Sequence, residues 1–320
     1  MKRVYKIFIF FGVFVSLYLY ACLVFTPKSV KDYGGNNYYA GRLFEAEDEN
    51  TIDVVAFGNS DLYNSLNSQA LFGEYGYTIY NCGVAKANLQ MAENYFREIR
   101  KKQKIKLVIF ESDFIFENRN EGKVIQKLGQ ARFLVSPFVY HAKWKEMKLK
   151  DFYTFPKEEI DHFKGYRFSK TINKHPVKDP NYMHNNKKAV ISRKNIQSLK
   201  KIIEICKENN IDMMMFESPT YTSWNLKKSN QINQICVENN IKFIDFNLML
   251  DEIEFDSVRD YRDKGNHLNY YGAMKVTKYL GKFISENFTL ENHMNQEGYE
   301  KWYESYQIYL KEEAKYKNKR

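Results

Sequence analysis

The chain has 320 residues, of which 44% are hydrophobic and 16% aromatic, so it can bury an ordinary core and is not globally disordered. It carries 49 Lys and Arg against 39 Asp and Glu, a net charge of +10, and its six prolines and fifteen glycines exclude a collagen-like or low-complexity protein. Four cysteines in 320 residues are too few for a disulfide-built scaffold, and the absence of a C-x-x-C pair argues against a structural zinc site.

Residues 1–25 are predicted to anchor the chain in a membrane. The stretch 7–25 (IFIFFGVFVSLYLYACLVF) has no charge and spans roughly 28 Å as a helix, close to the hydrocarbon thickness of a bilayer. Because Lys2, Arg3 and Lys6 precede it, we expect the amino end in the cytoplasm and the rest of the chain outside. This predicts a single-pass protein of the cell membrane with an extracytoplasmic domain. The alternatives are a cleaved signal peptide or lipoprotein signal, although no A-x-A-like site follows, and a buried core helix.

After a polar linker at 26–50, residues 51–290 alternate between helical and strand patterns. Short apolar runs predict five buried strands at 52–57, 77–80, 106–111, 211–216 and 241–246. Polar helices are predicted at 89–102, 195–207 and 231–237, and the last two end at paired asparagines, which tolerate the left-handed conformation. Alternating strands and helices predict an α/β domain built on a doubly wound parallel sheet.

Two segments do not follow this alternation of strands and helices. Residues 118–193 are too long for a bare loop and predict an insertion over one end of the sheet. Residues in it that could contact a substrate, although their spacing suggests no metal, are Arg132, His141, His162, His175 and His184. Residues 291–320 form a charged tail, and its aromatic residues share one helical face that ends at Glu313. That helix packs on the domain or lies at the membrane surface.

Polar residues follow the predicted strands where ligands bind in parallel sheets. Ser60 and Asp61 come directly after the first strand and Gly58, and Gly83 follows the second strand. Asp263 and His267 stand far away in a polar loop, where an acid before a histidine can supply a base and the group that orients it. Each of these features also has an ordinary structural explanation. Ser60 could cap a helix, Gly83 could belong to a turn that ends a strand, and His267 could be a loop histidine without a catalytic role.

Together these segments resemble the SGNH/GDSL hydrolase superfamily. Gly58-Asn59-Ser60 is similar to its first block, Gly83 to its second, and Asp263 with His267 to its last. The segment 267–273 (HLNYYGA) resembles membrane-anchored members that accompany membrane-bound O-acyltransferases, and distantly the D-alanylation protein DltD. The resemblance implies a flavodoxin-like, five-stranded SGNH hydrolase-like sheet. It also implies that Ser60 is the nucleophile, His267 the base and Asp263 the orienting acid, with an oxyanion hole of the N–H groups of Ser60, Asp61 and Gly83.

The sequence departs from the superfamily pattern twice. The third block carries an asparagine that completes the oxyanion hole, but here the strand at 106–111 is followed by Ser112-Asp113-Phe114. The acid normally stands three residues before the histidine, where this chain has Lys264. Asp263 is one position further away and Asp260 is the alternative acid.

The function that the resemblance implies is an extracytoplasmic serine esterase or O-acyltransferase that moves an acetyl or similar acyl group. Its expected partners are a cell-envelope polysaccharide or teichoic-acid-like polymer and a membrane-bound O-acyltransferase, with no cofactor, no metal and no nucleic acid. A non-catalytic, membrane-anchored subunit that aids polymer modification or assembly is the alternative. An exported binder of nucleic acid or of a heparin-like polymer, driven by charge, is a third.

The cysteines are predicted to be structural. Cys82 beside Gly83 has no histidine nearby in sequence and is expected to be a small buried residue. Cys206 and Cys236 occupy equivalent places on two helices and are expected in the core, with a disulfide between them as the alternative. Glu217, at the end of the fourth strand, is expected to line the same edge of the sheet as Ser60 or to form an ordinary turn.

Overall fold

A parallel five-stranded sheet forms the centre of the computed structural model, with strand order β2-β1-β3-β4-β5. The strands are β1 (Val54–Phe57), β2 (Ile79–Asn81), β3 (Leu107–Glu111), β4 (Asp212–Glu217) and β5 (Lys242–Asp245). This is the flavodoxin-like order, with the topological switch between β1 and β3, so the predicted fold class is confirmed. The five strands lie within two residues of their predicted positions.

The structure describes residues 2–26, 28, 44–117, 132–145, 147–155, 160–173 and 181–317. The helices of these residues are α1 (Lys2–Phe25), α2 (Ser60–Ser65), α3 (Ser68–Tyr75), α4 (Leu89–Ile99), α5 (Arg132–Val139), α6 (Arg193–Glu208), α7 (Leu226–Asn239), α8 (Tyr270–Asn287) and α9 (Glu300–Lys317). Short 3-10 helices include Asp113–Phe116, His141–Lys145 and Leu149–Phe152.

Asparagine side chains begin and end many of these helices. At a helix start, the side-chain oxygen accepts a hydrogen bond from an N–H group that the first turn leaves unpaired. Asparagines in this role are Asn59, Asn67, Asn88, Asn225 and Asn269. After α6 and α7, Asn210 (φ 53°) and Asn240 (φ 56°) adopt the left-handed conformation that the paired asparagines predicted.

The chain divides into two compact units, residues 1–40 with 120–159 and residues 41–119 with 160–320. In the first, α1 packs against α5 and the 3-10 helices that follow it, and the stretch Val4–Phe25 is long and apolar enough to cross a membrane. Most of its side chains are exposed, so α1 is not the buried core helix of the alternative interpretation. The second unit contains the whole sheet. Much of the linker and parts of the insertion, at 118–131, 156–159 and 174–180, lie outside the described residues.

The predicted tail is a helix that packs on the sheet unit. Trp302 and Tyr309 of α9 are buried, and the Trp302 ring lies 5.6 Å from that of Phe72 on α3. The buried face of α9 includes Glu313. Glu313 is buried because its carboxylate accepts hydrogen bonds from the hydroxyls of Tyr270 and Tyr309, both at 2.8 Å. A charge that helical periodicity assigns to the solvent is thus satisfied inside the fold.

Candidate active site

Ser60, His267 and Asp263 form a hydrogen-bonded chain in the sheet unit. Ser60 Oγ lies 2.8 Å from His267 Nε2, and His267 Nδ1 lies 2.5 Å from Asp263 Oδ2. Ser60 and His267 are 207 positions apart in sequence. Both side chains are partly exposed, so a substrate can reach the Ser60 hydroxyl. A hydroxyl, a base and an orienting acid in this order can activate the hydroxyl as a nucleophile.

A tight turn after β1 presents Ser60. Gly58 has no room for a side chain, because a Cβ there would lie 2.7 Å from Leu62 Cβ and 2.8 Å from Glu111 Cβ. Asn59 caps α2, since its Oδ1 accepts a hydrogen bond from the Asp61 N–H at 2.6 Å. The strand therefore reverses into α2 within two residues, which places Ser60 at the first helical position and at the carboxyl edge of the sheet.

The loop before α8 holds the imidazole. Asp263 Oδ1 accepts hydrogen bonds from the backbone N–H groups of Asn266 and His267, both at 2.9 Å, while its Oδ2 faces the imidazole. Burial raises the pKa of the Asp263 carboxyl, but the hydrogen bonds from His267 and Asn266 outweigh it, and the net pKa is lowered. Asp263 is therefore held as a carboxylate at the imidazole nitrogen opposite the serine.

The alternative acid, Asp260, lies elsewhere. Its side chain is fully buried, accepts a hydrogen bond from the Asp256 N–H at 2.7 Å and pairs with Lys275 at 2.8 Å. Asn269 also stabilises the loop around Asp260, because its Nδ2 donates to the backbone carbonyls of Arg259 and Tyr261. Asp260 thus supports the loop and α8, whereas Asp263 contacts the imidazole.

Two of the three predicted oxyanion donors already have acceptors within the chain. The Gly83 N–H donates to Asn81 Oδ1 at 2.9 Å, and the Asp61 N–H donates to Asn59 Oδ1. Asn81 is buried and fixed, because its Nδ2 donates to two backbone carbonyls of the α2 region. Among the described residues, none accepts a hydrogen bond from the Ser60 N–H. Ser60 N–H is therefore the predicted donor that stays open to a substrate oxygen.

Tyr63 lies three residues after Ser60, and two arginines contact this part of α2. Burial raises the pKa of the Tyr63 phenol, against the charges of Arg167 and Arg262, so the phenol keeps its proton. The Arg167 guanidinium lies 4.3 Å from the centre of the Tyr63 ring, and Arg262 Nη1 donates to Asn64 Oδ1 at 3.1 Å. Two cations thus lie close to residues of α2 that follow the nucleophile.

Three buried carboxyls lie behind the nucleophile turn: Asp61, Glu111 at the end of β3, and Glu217 at the end of β4. Burial raises the pKa of Glu111 to about 7, with a further contribution from the charge of Asp113. Burial and the neighbouring Glu111 likewise raise the pKa values of Glu217 and Asp61. Asp61 Oδ1 lies 3.8 Å from His267 Nε2. Among the described residues, no salt bridge joins Glu111 or Glu217 to a cation, so a charge on either carboxyl would be buried without a counter-charge.

The Glu111 carboxyl is expected to make stability depend on pH. Folded Glu111 keeps a proton up to pH about 7, whereas unfolded Glu111 releases it near pH 4.5, so the free energy of unfolding falls as pH rises between these values. The total loss from this group is about 3 kcal/mol. Thermal unfolding of the full chain in detergent, followed across this pH range, should therefore show a shallower fall for Glu111→Gln. Glu238→Gln, on the exposed side of α7, is the control and should follow the original curve. An unchanged slope in Glu111→Gln would contradict the protonated state.

Of the other predicted residues, His184 is exposed in the 3-10 helix Tyr182–His184. His162 Nδ1 faces Ser305 Oγ at 3.1 Å, and the side chains of Arg132 and His141, like residue His175, lie outside the described residues. The four cysteines are free and buried, so the disulfide alternative for Cys206 and Cys236 is wrong. Burial raises the pKa of the Cys82 thiol, which fits the small buried residue that we expected. No group of three His, Cys, Asp or Glu side chains suits a metal ion within the described residues.

Sequence reasoning missed Glu111, Tyr63 and Arg167. Glu111 is the last residue of a predicted strand, and this position indicates the same edge of the sheet as Ser60. Glu217 was expected at this edge for the same reason, whereas Glu111 was not. Tyr63 lies three residues after Ser60, one helical turn away. Arg167 lies in the predicted insertion, where no sequence pattern indicates where a side chain will be placed. It reaches Tyr63 because the Arg167 N–H donates to the Tyr63 carbonyl at 2.9 Å.

The chain matches no family model and no curated protein. Among solved structures it is similar to a provisionally assigned acylhydrolase from Bacteroides fragilis NCTC 9343, with 12% identity, a TM-score of 0.41, and coverage of 78% of this chain and 94% of that one. It is also similar to a GDSL-like lipase from Bacteroides thetaiotaomicron VPI-5482, with 13% identity, a TM-score of 0.40 and coverage of 78% and 98%. A third is a provisionally assigned lipolytic protein of the G-D-S-L family from Desulfitobacterium hafniense DCB-2, with 15% identity, a TM-score of 0.40 and coverage of 73% and 99%.

Proposed function

We propose that the protein is a serine acyl hydrolase or acyltransferase of the SGNH/GDSL type that forms an acyl-enzyme on Ser60. The observation that carries the proposal is the chain of contacts from Ser60 Oγ to His267 Nε2 at 2.8 Å and from His267 Nδ1 to Asp263 Oδ2 at 2.5 Å. The three side chains have the types, the order and the exposure that nucleophilic catalysis by serine requires.

In the proposed reaction, His267 Nε2 takes the proton of Ser60 as Oγ attacks the carbonyl carbon of an ester or thioester. Asp263 stabilises the resulting imidazolium through Nδ1. Collapse of the tetrahedral intermediate expels the alcohol or thiol, which receives the proton from His267, and leaves Ser60 acylated. Water or a sugar hydroxyl then attacks the acyl-enzyme, with His267 again as the base. The acyl group leaves as a free acid in the first case and as a new ester in the second.

The developing oxyanion needs donors beyond the Ser60 N–H. We propose that the Tyr63 hydroxyl is one, because burial keeps the phenol protonated and Tyr63 lies one helical turn after Ser60 on α2. It would take the place of the asparagine that the third block lacks. An oxyanion-hole donor contributes about 10² to 10³ in rate. The Gly83 N–H already donates to Asn81 Oδ1 at 2.9 Å. It can therefore donate to the oxyanion only through a bifurcated hydrogen bond that it shares with Asn81 Oδ1.

We propose an anionic cell-envelope glycopolymer, such as a teichoic-acid-like polymer, as the acceptor or substrate. Arg167 and Arg262 lie beside Tyr63, so a phosphate or carboxylate near the reacting hydroxyl would meet two cations. A chain anchored by α1 in the cell membrane, with the sheet unit outside, would have this polymer within reach. A membrane-bound O-acyltransferase would be the partner that delivers the acyl group.

The experiment compares acceptors. The full chain in detergent is given p-nitrophenyl acetate with a teichoic-acid-like polyanion, with dextran, or with neither, and the products are separated by mass spectrometry. Acetate release alone identifies an esterase, and acetyl esters on the polymer identify a transferase. We expect Arg167→Gln to raise KM for the polyanion several-fold more than for p-nitrophenyl acetate, with Lys278→Gln as the surface control. Equal KM changes for both would contradict the anionic substrate.

A non-catalytic subunit is the second candidate, and a specific observation favours it. The N–H groups of Gly83 and Asp61 are bonded to asparagine side chains, which leaves the oxyanion hole with fewer open donors than the superfamily pattern has. Polymer binding without turnover, unchanged in Ser60→Ala, would support this candidate against the enzyme.

A further inference from the structure

A segment of the membrane-anchor unit exposes many large apolar side chains. We call its described residues, 132–145 and 147–155, the collar. Its exposed apolar side chains are Leu134, Phe138, Trp144, Leu149, Phe152, Tyr153 and Phe155, with exposed fractions from 43% to 80%. Single exposed apolar residues are ordinary on a protein surface, but so many in one short segment mark a surface that contacts something else.

The collar contacts the last turns of α1. The Tyr18 hydroxyl donates to the Leu134 carbonyl, and the Tyr20 hydroxyl donates to the Phe152 carbonyl at 3.0 Å. At the end of the helix, Thr26 Oγ1 lies 2.7 Å from Ser136 Oγ. Because a helix rises 1.5 Å per residue, Tyr18 lies about 10 Å before Phe25 along the axis. The collar thus flanks α1 from its carboxyl end to about one third of the bilayer depth.

We propose that the collar is a membrane-interface element, seated in the lipid bilayer at the carboxyl-terminal end of α1. Its apolar side chains would lie among the upper acyl chains and its lysines at anionic headgroups. The inference rests on the membrane anchoring that the proposed function includes. The collar would give the anchor unit a second contact with the bilayer. This contact would restrict the rotation and tilt of α1, which a single helix leaves free.

Continuity with α1 argues for lipid as the occupant. Leu19 and Tyr20 of α1 are also exposed, so the apolar surface of the helix runs on into the collar. A tyrosine hydroxyl at hydrocarbon depth needs a hydrogen-bond partner, because the acyl chains offer none. The collar carbonyls supply such partners to Tyr18 and Tyr20.

The charges of the collar fit a phospholipid surface. Lys145, Lys148 and Lys150 are exposed among the aromatic side chains, whereas Asp151 is buried and pairs with Lys143 at 3.3 Å. Within the described residues of the collar, the exposed charge is therefore positive. Aromatic residues with lysines are typical of segments at the membrane interface, where each lysine near an anionic surface contributes about 1 kcal/mol.

Trp144 provides the test. Of the three tryptophans, Trp144 is exposed, whereas Trp224 and Trp302 are buried in the sheet unit. The full chain is reconstituted into phosphatidylcholine vesicles, with and without phosphatidylglycerol, that contain lipids brominated near the headgroup or near the chain end. The fluorescence of Trp144 is the difference between the original chain and Trp144→Phe. Extraction with alkaline carbonate reports insertion of α1 separately.

We expect lipid brominated near the headgroup to quench the Trp144 component about twofold and to quench it more than lipid brominated at the chain end, since interfacial segments sit about 5–10 Å deep. Leu149→Asp with Phe155→Asp should reduce this quenching, and Val237→Asp, an equally exposed site on α7, should not. If the chain resists carbonate extraction but Trp144 is not quenched, the membrane contact of the collar is contradicted while insertion of α1 is supported. The exposed apolar surface would then be assigned to a protein partner. Chain that carbonate extracts would overturn both.

Discussion

Replacing His267 with alanine is expected to lower kcat/KM for p-nitrophenyl acetate by about 10⁴- to 10⁶-fold. The imidazole is the group that takes the Ser60 proton, and it lies 2.8 Å from Ser60 Oγ. Without it the hydroxyl attacks as a neutral, weak nucleophile. Ser60→Ala should cause a loss of the same size. The double variant should lose no more than either single variant, because the two side chains act as one unit.

His162→Ala is the matched control, since His162 lies in the same unit and faces Ser305 rather than the site. It should keep the original kcat/KM within a few-fold. Folding of every variant is checked by circular dichroism and thermal unfolding. A His267→Ala chain that is folded and retains most of the original activity would contradict His267 as the base.

Replacing Asp263 with asparagine is expected to lower kcat by about 10³- to 10⁴-fold with little change in stability. An asparagine can still accept the N–H groups of Asn266 and His267, which are bonded at 2.9 Å. It cannot stabilise the imidazolium, and it can donate to Nδ1 and so favour the wrong tautomer. The measurement is kcat across a pH series, together with the thermal unfolding midpoint.

Asp260→Asn provides the contrast, because the two acids have different neighbours. Asp260 is fully buried and pairs with the partly exposed Lys275 at 2.8 Å, so its replacement removes the counter-charge of Lys275 from a buried position. We expect a lower unfolding midpoint, with kcat of the folded fraction within about tenfold of the original, since Asp260 acts on the imidazole only through the loop. If Asp260→Asn instead lost the activity and Asp263→Asn kept it, the two roles would be reversed.

The sheet and the position of Ser60 at its edge could be predicted from the sequence because they depend on regular features, whereas the meeting of Ser60 with His267 was implied by the resemblance to the SGNH/GDSL superfamily. Short apolar runs between polar helices give a parallel sheet, and in such a sheet the carboxyl ends of strands share one edge. A serine that follows β1 must therefore lie at that edge. The loop before α8 returns to it through Asn269, which caps the helix and bonds the carbonyls of Arg259 and Tyr261.

What the sequence left open depends on individual side-chain positions. The choice between Asp263 and Asp260 depends on how the loop turns, and no spacing decides it. The acceptor of the Gly83 N–H is the Asn81 side chain two residues away, a local hydrogen bond that competes with a substrate. Glu313 is inside the fold because two tyrosine hydroxyls happen to meet it there. Arg167 depends on the path of the insertion, which composition alone does not give.

Covalent trapping tests the central claim most directly. The full chain in detergent is incubated with a fluorophosphonate, whose reactive phosphorus captures an activated serine, and the modified peptide is located by mass spectrometry. We predict one adduct, on Ser60, and loss of that adduct in His267→Ala. A folded chain that gains no adduct, or gains one on another residue with equal speed in His267→Ala, would contradict an activated Ser60.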